Sequence, residues 1–597
     1  MSLYYKVTST QPASHIFEIE LILSNPQSKI HKLHLPTWIP GSYLIREFAK
    51  NIIDVSAYDS DGALSIYKTD KCTWEIQTQS SDAHILYRVY AWDLSVRMAH
   101  LDQSHAYFNG TSLFLSVEGL EDQPHTVELV APKGTKNWKV ATTLPKLEGR
   151  LYEFGLYQAE TYDALIDHPV EMGTFELLHF EACGVPHEVA LTGIQKTNEY
   201  RLCTDLEKIC RYFIEFFGEP APMDRYLFQV MVVGTGYGGL EHRASTSLIC
   251  SRKDLPQQKF QSAKGGYLKF LGLCSHEYFH TWNVKQIKPE AYLPYDLSKE
   301  AYSVQLWAFE GITSYYDDLC LKRCGIIDKE AYLELIAKTI SRVLSTPGRH
   351  VQSVADSSFD TWIKFYRQDE NAPNSLISYY AKGSLIALCL DLHLRLHSDI
   401  SLDDVMKALW NEYGKPQIGV PEDGIQALAE RLSGLELNSF FHSYVYGTEE
   451  LPLETLLNAF AITLNTRPKV SNSDAGGSAS AKAESTLTSG WLGATFSSAS
   501  AGAKLRNVYT GSPAQLAGMS ANDVVIAIDN IKVDSKTIFD RILGYPAGAI
   551  VKVHAFRRDE LHVFDVVLQS PPCDKAYLTL KRDATEEEIT RLNHWLR

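Results

Sequence analysis

Leu268-Lys-Phe-Leu271-Gly-Leu-Cys274-Ser275-His276-Glu277-Tyr-Phe-His280 is the stretch whose reading decides how the middle of this chain folds. Leu268, Leu271 and Cys274 or Ser275 recur at helical spacing, so the segment predicts a helix with one buried side. On that helix His276 and His280 stand at i and i+4, one turn apart on one face, where two imidazoles can reach a single zinc ion. Glu277, beside the first of them, is placed as the general base of a metal-assisted hydrolysis. So short a pattern also arises by chance, and a pair of core or solvated histidines is the bland alternative.

A catalytic zinc takes three protein ligands and leaves one position open, so a third ligand has to be sought. Glu290, Glu300 and Glu310 are the carboxylates that follow. Glu290 comes directly after a proline and Glu300 sits in a polar stretch, which is how solvated acids look. Glu310 lies in Leu306-Trp-Ala-Phe-Glu310-Gly-Ile-Thr-Ser-Tyr-Tyr; an acid buried among so many aromatic side chains needs a partner to offset its desolvation. Glu310 is therefore the predicted third ligand, with Ser314 or Asp317, one and two turns on, expected to brace it.

Outward from this core the chain changes character. In residues 1–170, Phe17, Ile19, Leu21 and Leu23 alternate with polar neighbours, and Ile85, Tyr87, Val89 and Ala91 repeat the period, so a β-rich domain is expected. Within it Pro36-Thr-Trp-Ile-Pro-Gly41-Ser-Tyr interrupts any ladder and reads as an ordered loop that lines a cleft or packs. Residues 171–465 are expected as the next domain, with the pattern turning helical from about residue 195, as at Leu402, Val405, Met406 and Leu409 behind an N-cap at Ser401. Residues 466–486 hold almost nothing apolar and predict a flexible linker. Residues 487–572 form a strand-and-turn module around Trp491-Leu-Gly-Ala-Thr-Phe, Gly511-Ser-Pro-Ala and Gly518-Met. Residues 573–597 end in a helix behind the capping-box spacing Thr585 to Glu588, with Ile589, Leu592 and Leu596 on one face.

Composition narrows the partners. The 597 residues predict roughly three to five domains. With 45% apolar and 22% charged residues the chain has the balance of a folded globular protein. A net charge of −15 excludes a nucleic-acid or anionic-membrane partner, both of which need a basic footprint. The first residues show no basic-then-apolar leader and no apolar run approaches the roughly 18 residues of a membrane span, so a cytoplasmic protein with reduced thiols is expected from its ten scattered cysteines.

Several separate stretches in order resemble the glycyl aminopeptidase family of zinc peptidases, gluzincin relatives of aminopeptidase N that carry a PDZ domain. They are Pro36-Thr-Trp-Ile-Pro-Gly-Ser-Tyr with Arg46, Gly238-Gly-Leu-Glu241-His242, the His276–His280 motif continued as Thr-Trp-Asn-Val-Lys285, the Glu310 segment, Tyr380-Ala-Lys-Gly383 and the terminal module. The resemblance implies a multidomain α+β protein: an N-terminal β-rich domain, a thermolysin-like zinc peptidase domain with a helical region, and a C-terminal PDZ domain. It also implies Glu310 as the third ligand. By the same resemblance Glu241 would hold the free amine of the substrate and the Tyr380 hydroxyl would stabilise the oxyanion; His242 stands where aminopeptidase N relatives have asparagine. The implied activity is removal of N-terminal glycine or alanine from peptides, with one zinc per chain, and the PDZ module would take a protein or peptide C-terminus. An endopeptidase with PDZ-recruited substrates, or a PDZ peptide-binding protein with a vestigial zinc site, are the competing readings.

Overall fold

The structure is a computed structural model that describes residues 2–26, 28–79, 82–258 and 263–597. It comprises two compact units, Met1–Ala301 with Leu409–Val420, and Tyr302–Ala408 with Pro421–Arg597. The span 171–465, expected as one catalytic and helical domain, is thus divided between them.

In the first unit the alternating N-terminal sequence becomes a seven-stranded sheet. Its strand order is Gly155–Ala159, His125–Leu129, Ser2–Thr8, Ile16–Ser24, Ala83–Tyr90, Ile52–Asp59 and Gly62–Ala63. Strand Ile16–Ser24 pairs antiparallel with Ala83–Tyr90, matching Phe17 to Val89 and Leu21 to Ile85. Because side chains alternate along a strand, both apolar sets fall on the same face and are buried. Two four-stranded sheets share this core. One of them includes Val170–Gly173, paired with His105–Phe108, so the β-rich layers run a few residues past 170.

A five-stranded sheet follows, ordered Glu176–Ala182, Val185–Thr192, Tyr226–Val233, Ser245–Ser251 and Tyr237–Glu241. Helix Glu199–Phe217, capped by the Asn198 side chain accepting from the Arg201 amide, packs Phe213 and Phe217 on Phe279, with ring centroids 5.2 and 5.5 Å apart. Phe279 belongs to helix Gly265–Phe279, which carries His276 and Glu277. Its burial exceeds a single stripe: Tyr267, Phe270, Leu271, Cys274, Ser275 and Tyr278 are all buried, whereas Leu268 is half-buried.

The second unit is helical, with a β module near its end. Helices Gly311–Arg323 and Ala381–His397 cross where Gly311 faces Gly383; a β-carbon on Gly311 would lie 2.7 Å from the Gly383 backbone. Residues 466–486 differ from the expected flexible linker. Strand Ile462–Arg467 pairs antiparallel with Lys575–Leu580, the buried Arg467 forms a two-pronged ion pair with Asp474, and the Gly477 amide donates to the Ala576 carbonyl at 2.8 Å. Polar contacts here do what apolar residues do elsewhere, which a hydropathy reading cannot register. The module beyond has its own core, including Leu505, Val525, Val553 and Val566. The final helix, Glu586–Trp595, carries the predicted capping box. Of its expected apolar face, Leu592 and Leu596 are buried but Ile589 is 45% exposed. Trp595 is the anchor instead, its indole N–H donating to the Tyr315 hydroxyl at 2.8 Å. No helix among the described residues is long and apolar enough to cross a membrane.

Candidate functional site

In the first unit the helix brings the rings of His276 and His280 together. The Nε2 atoms of His276 and His280 are 3.1 Å apart, with the rings nearly perpendicular at 87°. His280 Nδ1 donates to the Asn283 carbonyl at 2.7 Å. A carbonyl can only accept, so the proton sits on Nδ1 and Nε2 keeps its lone pair for an ion. Glu277, between them in sequence, is buried.

Strand Tyr237–Glu241 is the edge of the five-stranded sheet and brings Glu241 to the same place, and Leu240 beside it is embedded in the N-terminal core. A carboxylate oxygen of Glu241, one of Glu277 and a ring nitrogen of His280 lie within 4.8 Å of one another. Glu241 is only 3% exposed, and its Oε1 has no hydrogen-bond partner among the described residues. Two glycines permit this crowding. A β-carbon on Gly239 would overlap the Glu277 carboxylate, and one on Gly41, at φ +96°, would overlap that of Glu241. The Pro36–Tyr43 loop therefore lines the site. It is tied down where Thr37 N–H donates to Leu297 O at 2.8 Å and Trp38 Nε1–H to Asp296 O at 3.0 Å.

Sequence reasoning missed three residues here. Arg97 joins loop to strand, donating from Nε to Ser42 Oγ at 3.0 Å and from Nη2 to the Gly239 carbonyl at 3.2 Å. Buried Asp167 accepts from His242 Nδ1 at 3.0 Å, Arg243 Nε at 2.8 Å and Lys285 Nζ at 2.8 Å. Burial pushes the Asp167 carboxyl up, but the charges of Lys285 and Arg243 and the His242 hydrogen bond outweigh it and hold it well below the ordinary carboxylate range. Burial likewise lowers the His242 imidazole, in spite of Asp167 beside it. Asp167 thus fastens the end of the Glu241 strand to the loop after the histidine helix. His242 and Lys285 stood in the quoted motifs, yet nothing in their spacing pointed to a shared acid.

In the second unit Glu310 stands at the junction of helices Leu306–Phe309 and Gly311–Arg323 and is 2% exposed, whereas Glu290, in the first unit, is exposed. The Ser314 amide donates to the Glu310 carbonyl at 2.8 Å. The Gly311–Gly383 crossing sets the start of helix Ala381–His397 against this junction. Burial raises the Tyr379 hydroxyl well above its ordinary value, with the charges of Tyr366 and Glu310 adding to it. Tyr380 is partly exposed, its ring against Tyr379 and Phe365, and its hydroxyl is 3.2 Å from that of Tyr366.

The sequence profile of the peptidase M61 N-terminal domain matches residues 4–174, and that of the M61 glycyl aminopeptidase matches residues 269–386. A crystal structure of an aminopeptidase N family protein from Idiomarina loihiensis is 41% identical, covering 100% of both chains with a TM-score of 0.95. An M1 zinc metallopeptidase from Deinococcus radiodurans is 13% identical over 76% of this chain and 95% of its own, with a TM-score of 0.48. No curated protein sequence matches the chain.

Proposed function

From the premise that this chain belongs to the aminopeptidase N family and carries both domains of peptidase M61, we propose that it is a zinc-dependent aminopeptidase removing glycine or alanine from free peptide N-termini. The observation that carries the reading is the Glu241 carboxylate: it is buried beside Glu277 and His280, with an oxygen that no hydrogen bond satisfies among the described residues. A buried carboxylate is stabilised by a cation, and a substrate ammonium is the cation an aminopeptidase brings.

The donor set fits zinc. Two imidazole nitrogens converge, and the Nδ1 of one faces a backbone carbonyl, which leaves its Nε2 to an ion. We assign His276, His280 and Glu310 as the ligands, Glu310 on the burial of its carboxylate in an aromatic segment. Zinc held there supplies a Lewis acid and brings the pKa of a water down to about 7. Glu277 takes the proton of the attacking water and returns it to the leaving amine. Glu241 pairs with the ammonium and sets the register at one residue before the scissile bond. The partly exposed Tyr380 hydroxyl donates to the developing oxyanion. Glycine at Gly239 and Gly41 lets both carboxylates seat where a side chain would displace them.

We assign the module after residue 487 as a PDZ domain. The hollow lined by Trp491, Leu492, Phe496, Tyr509, Phe539 and Ile542 is then the groove for an extended peptide or protein C-terminus.

The test is a pair of substrates. Glu241→Gln is expected to retain zinc yet lose about 10²- to 10³-fold in kcat/KM on a glycyl arylamide, the cost of leaving a charge without its partner. The unaltered protein is expected to ignore the N-acetylated peptide. Cleavage of blocked and free peptides at similar rates would make it an endopeptidase and leave Glu241 a structural acid.

A further inference from the structure

A second cluster of metal-ligating side chains lies in the N-terminal β layers, built from residues that the peptidase chemistry does not use. Strands Ala99–Leu101 and His105–Phe108 form a hairpin in which Ala106 pairs with Leu101 and Tyr107 with His100. That register puts His100, Asp102, His105 and Tyr107 on one face. Tyr107 in turn pairs with Glu171 of strand Val170–Gly173, so Glu171 joins the same face. One ring nitrogen from each of His100 and His105 and one oxygen of Asp102 lie within 4.8 Å of one another.

The cluster is organised beyond what a turn requires. Asp102 Oδ1 accepts from the Ser104 amide and hydroxyl, both at 2.6 Å, and from the His105 amide at 3.0 Å. This fixes the carboxylate and leaves Oδ2 3.3 Å from His100 Nε2. A tetrahedral ion with bonds of about 2.0 Å sets its ligand atoms about 3.3 Å apart. The two imidazoles stack at 4.9 Å, and His100 Nδ1 has no hydrogen-bond partner among the described residues. His100 and His105 are 5% and 6% exposed, so solvent does little for those nitrogens. Glu171, steadied by the Thr192 hydroxyl at 3.0 Å, brings Oε1 to 3.3 Å from His105 Nδ1, within ion-pair distance. His105 and Glu171 also line a small cavity with Gln229 and Ser247, which leaves room for a water as a further ligand. On the outer side the exposed Trp92 stacks on His100 at 4.8 Å, and Asp102 is half-buried, which gives an ion a way in.

We propose that His100, Asp102 and His105 bind a second divalent transition metal, with Glu171 steadying His105. Two imidazoles and one carboxylate suit zinc or copper over the hard cations calcium and magnesium.

The probe is zinc itself, added to chelator-stripped full-length protein and counted after gel filtration. His276→Ala/His280→Ala removes both motif histidines, and this protein is expected to keep one equivalent of zinc. Adding His100→Phe and His105→Phe, which preserve the ring stack, is expected to remove it. Glu171→Gln in the same background is expected to weaken zinc binding about 10- to 100-fold, the usual effect of losing a carboxylate behind a ligating histidine. Should the quadruple variant fail to fold, His100→Phe alone in the otherwise unaltered protein is expected to drop the count from two zinc to one. Absence of zinc from His276→Ala/His280→Ala, zinc that survives His100→Phe and His105→Phe in that background, or a count of two that survives His100→Phe alone overturns the proposal. The count in the His276→Ala/His280→Ala background is read without the motif histidines and so does not depend on the catalytic assignment.

Discussion

Gly239 shows how much one missing side chain does. Its α-carbon hydrogen faces the Glu277 carboxylate so closely that a β-carbon there would occupy the same space. Glu277 is the far end of a side chain and can give way, so the cost of Gly239→Ala falls on function more than on folding. We predict a kcat lower by about 10²-fold with zinc content unchanged, as a general base moved out of hydrogen-bond reach loses most of its value. Steady-state kinetics beside elemental analysis checks it, and a normal kcat would mean that Glu277 is not the base. At this scale the sequence is legible only where neighbouring side chains share a local period. His276, Glu277 and His280 declare themselves because a helix repeats every turn. Asp167 could not, since its partners His242, Arg243 and Lys285 lie 75, 76 and 118 residues away.

Among elements, the tightest junction is the crossing of helices Gly311–Arg323 and Ala381–His397. A β-carbon on Gly383 would lie 2.7 Å from the Trp307 carbonyl and 3.1 Å from the Gly311 α-carbon, all of it backbone that cannot rotate away. Gly383→Ala is therefore expected to destabilise by about 1–3 kcal/mol, the range for overpacking, read as a lower denaturant midpoint. The Asp167 cluster is the corresponding junction in the first unit, and it predicts a pH dependence. An Asp is held below its unfolded pKa of about 3.9, so its contribution is full above that pH and drains away as pH falls toward the depressed folded value. Asp167→Asn should cost about 3–5 kcal/mol at pH 7, the range for breaking a buried ion pair. Urea midpoints of the two proteins should converge below pH 4; a gap that stays constant down to pH 3 would show that the charge is not what matters. Most elements were legible from pattern, as the buried Phe17, Ile19, Leu21 and Leu23 show. The Arg467–Asp474 clasp was not, because an ion pair seven residues apart has no hydrophobic period.

For the whole molecule, the chain returns on itself after the β module. Strand Lys575–Leu580 completes a sheet with Ile462–Arg467, and Trp595 is buried against Tyr332 and Phe460. The module's two ends meet where Trp491 bridges Gln569. Replacing residues 492–568 by a short Gly/Ser linker is thus expected to leave a folded protein that still binds zinc and cleaves dipeptide-sized substrates. Ending the chain at Arg467 should not fold, because it strips the last strand and helix from their partners; circular dichroism and activity on a glycyl arylamide distinguish the two. Sequence alone determined the histidine-bearing helix, the alternating strands, the β module and the capped final helix, since each is written in a period or a turn signal within a few residues. Tertiary structure alone decided that 466–486 is clasped, that Trp595 rather than Ile589 anchors the end, and that Gly41 abuts Glu241 across 200 residues of chain. Such contacts are fixed by how distant surfaces fit and by which buried charges find each other, and no window of neighbouring residues contains that information.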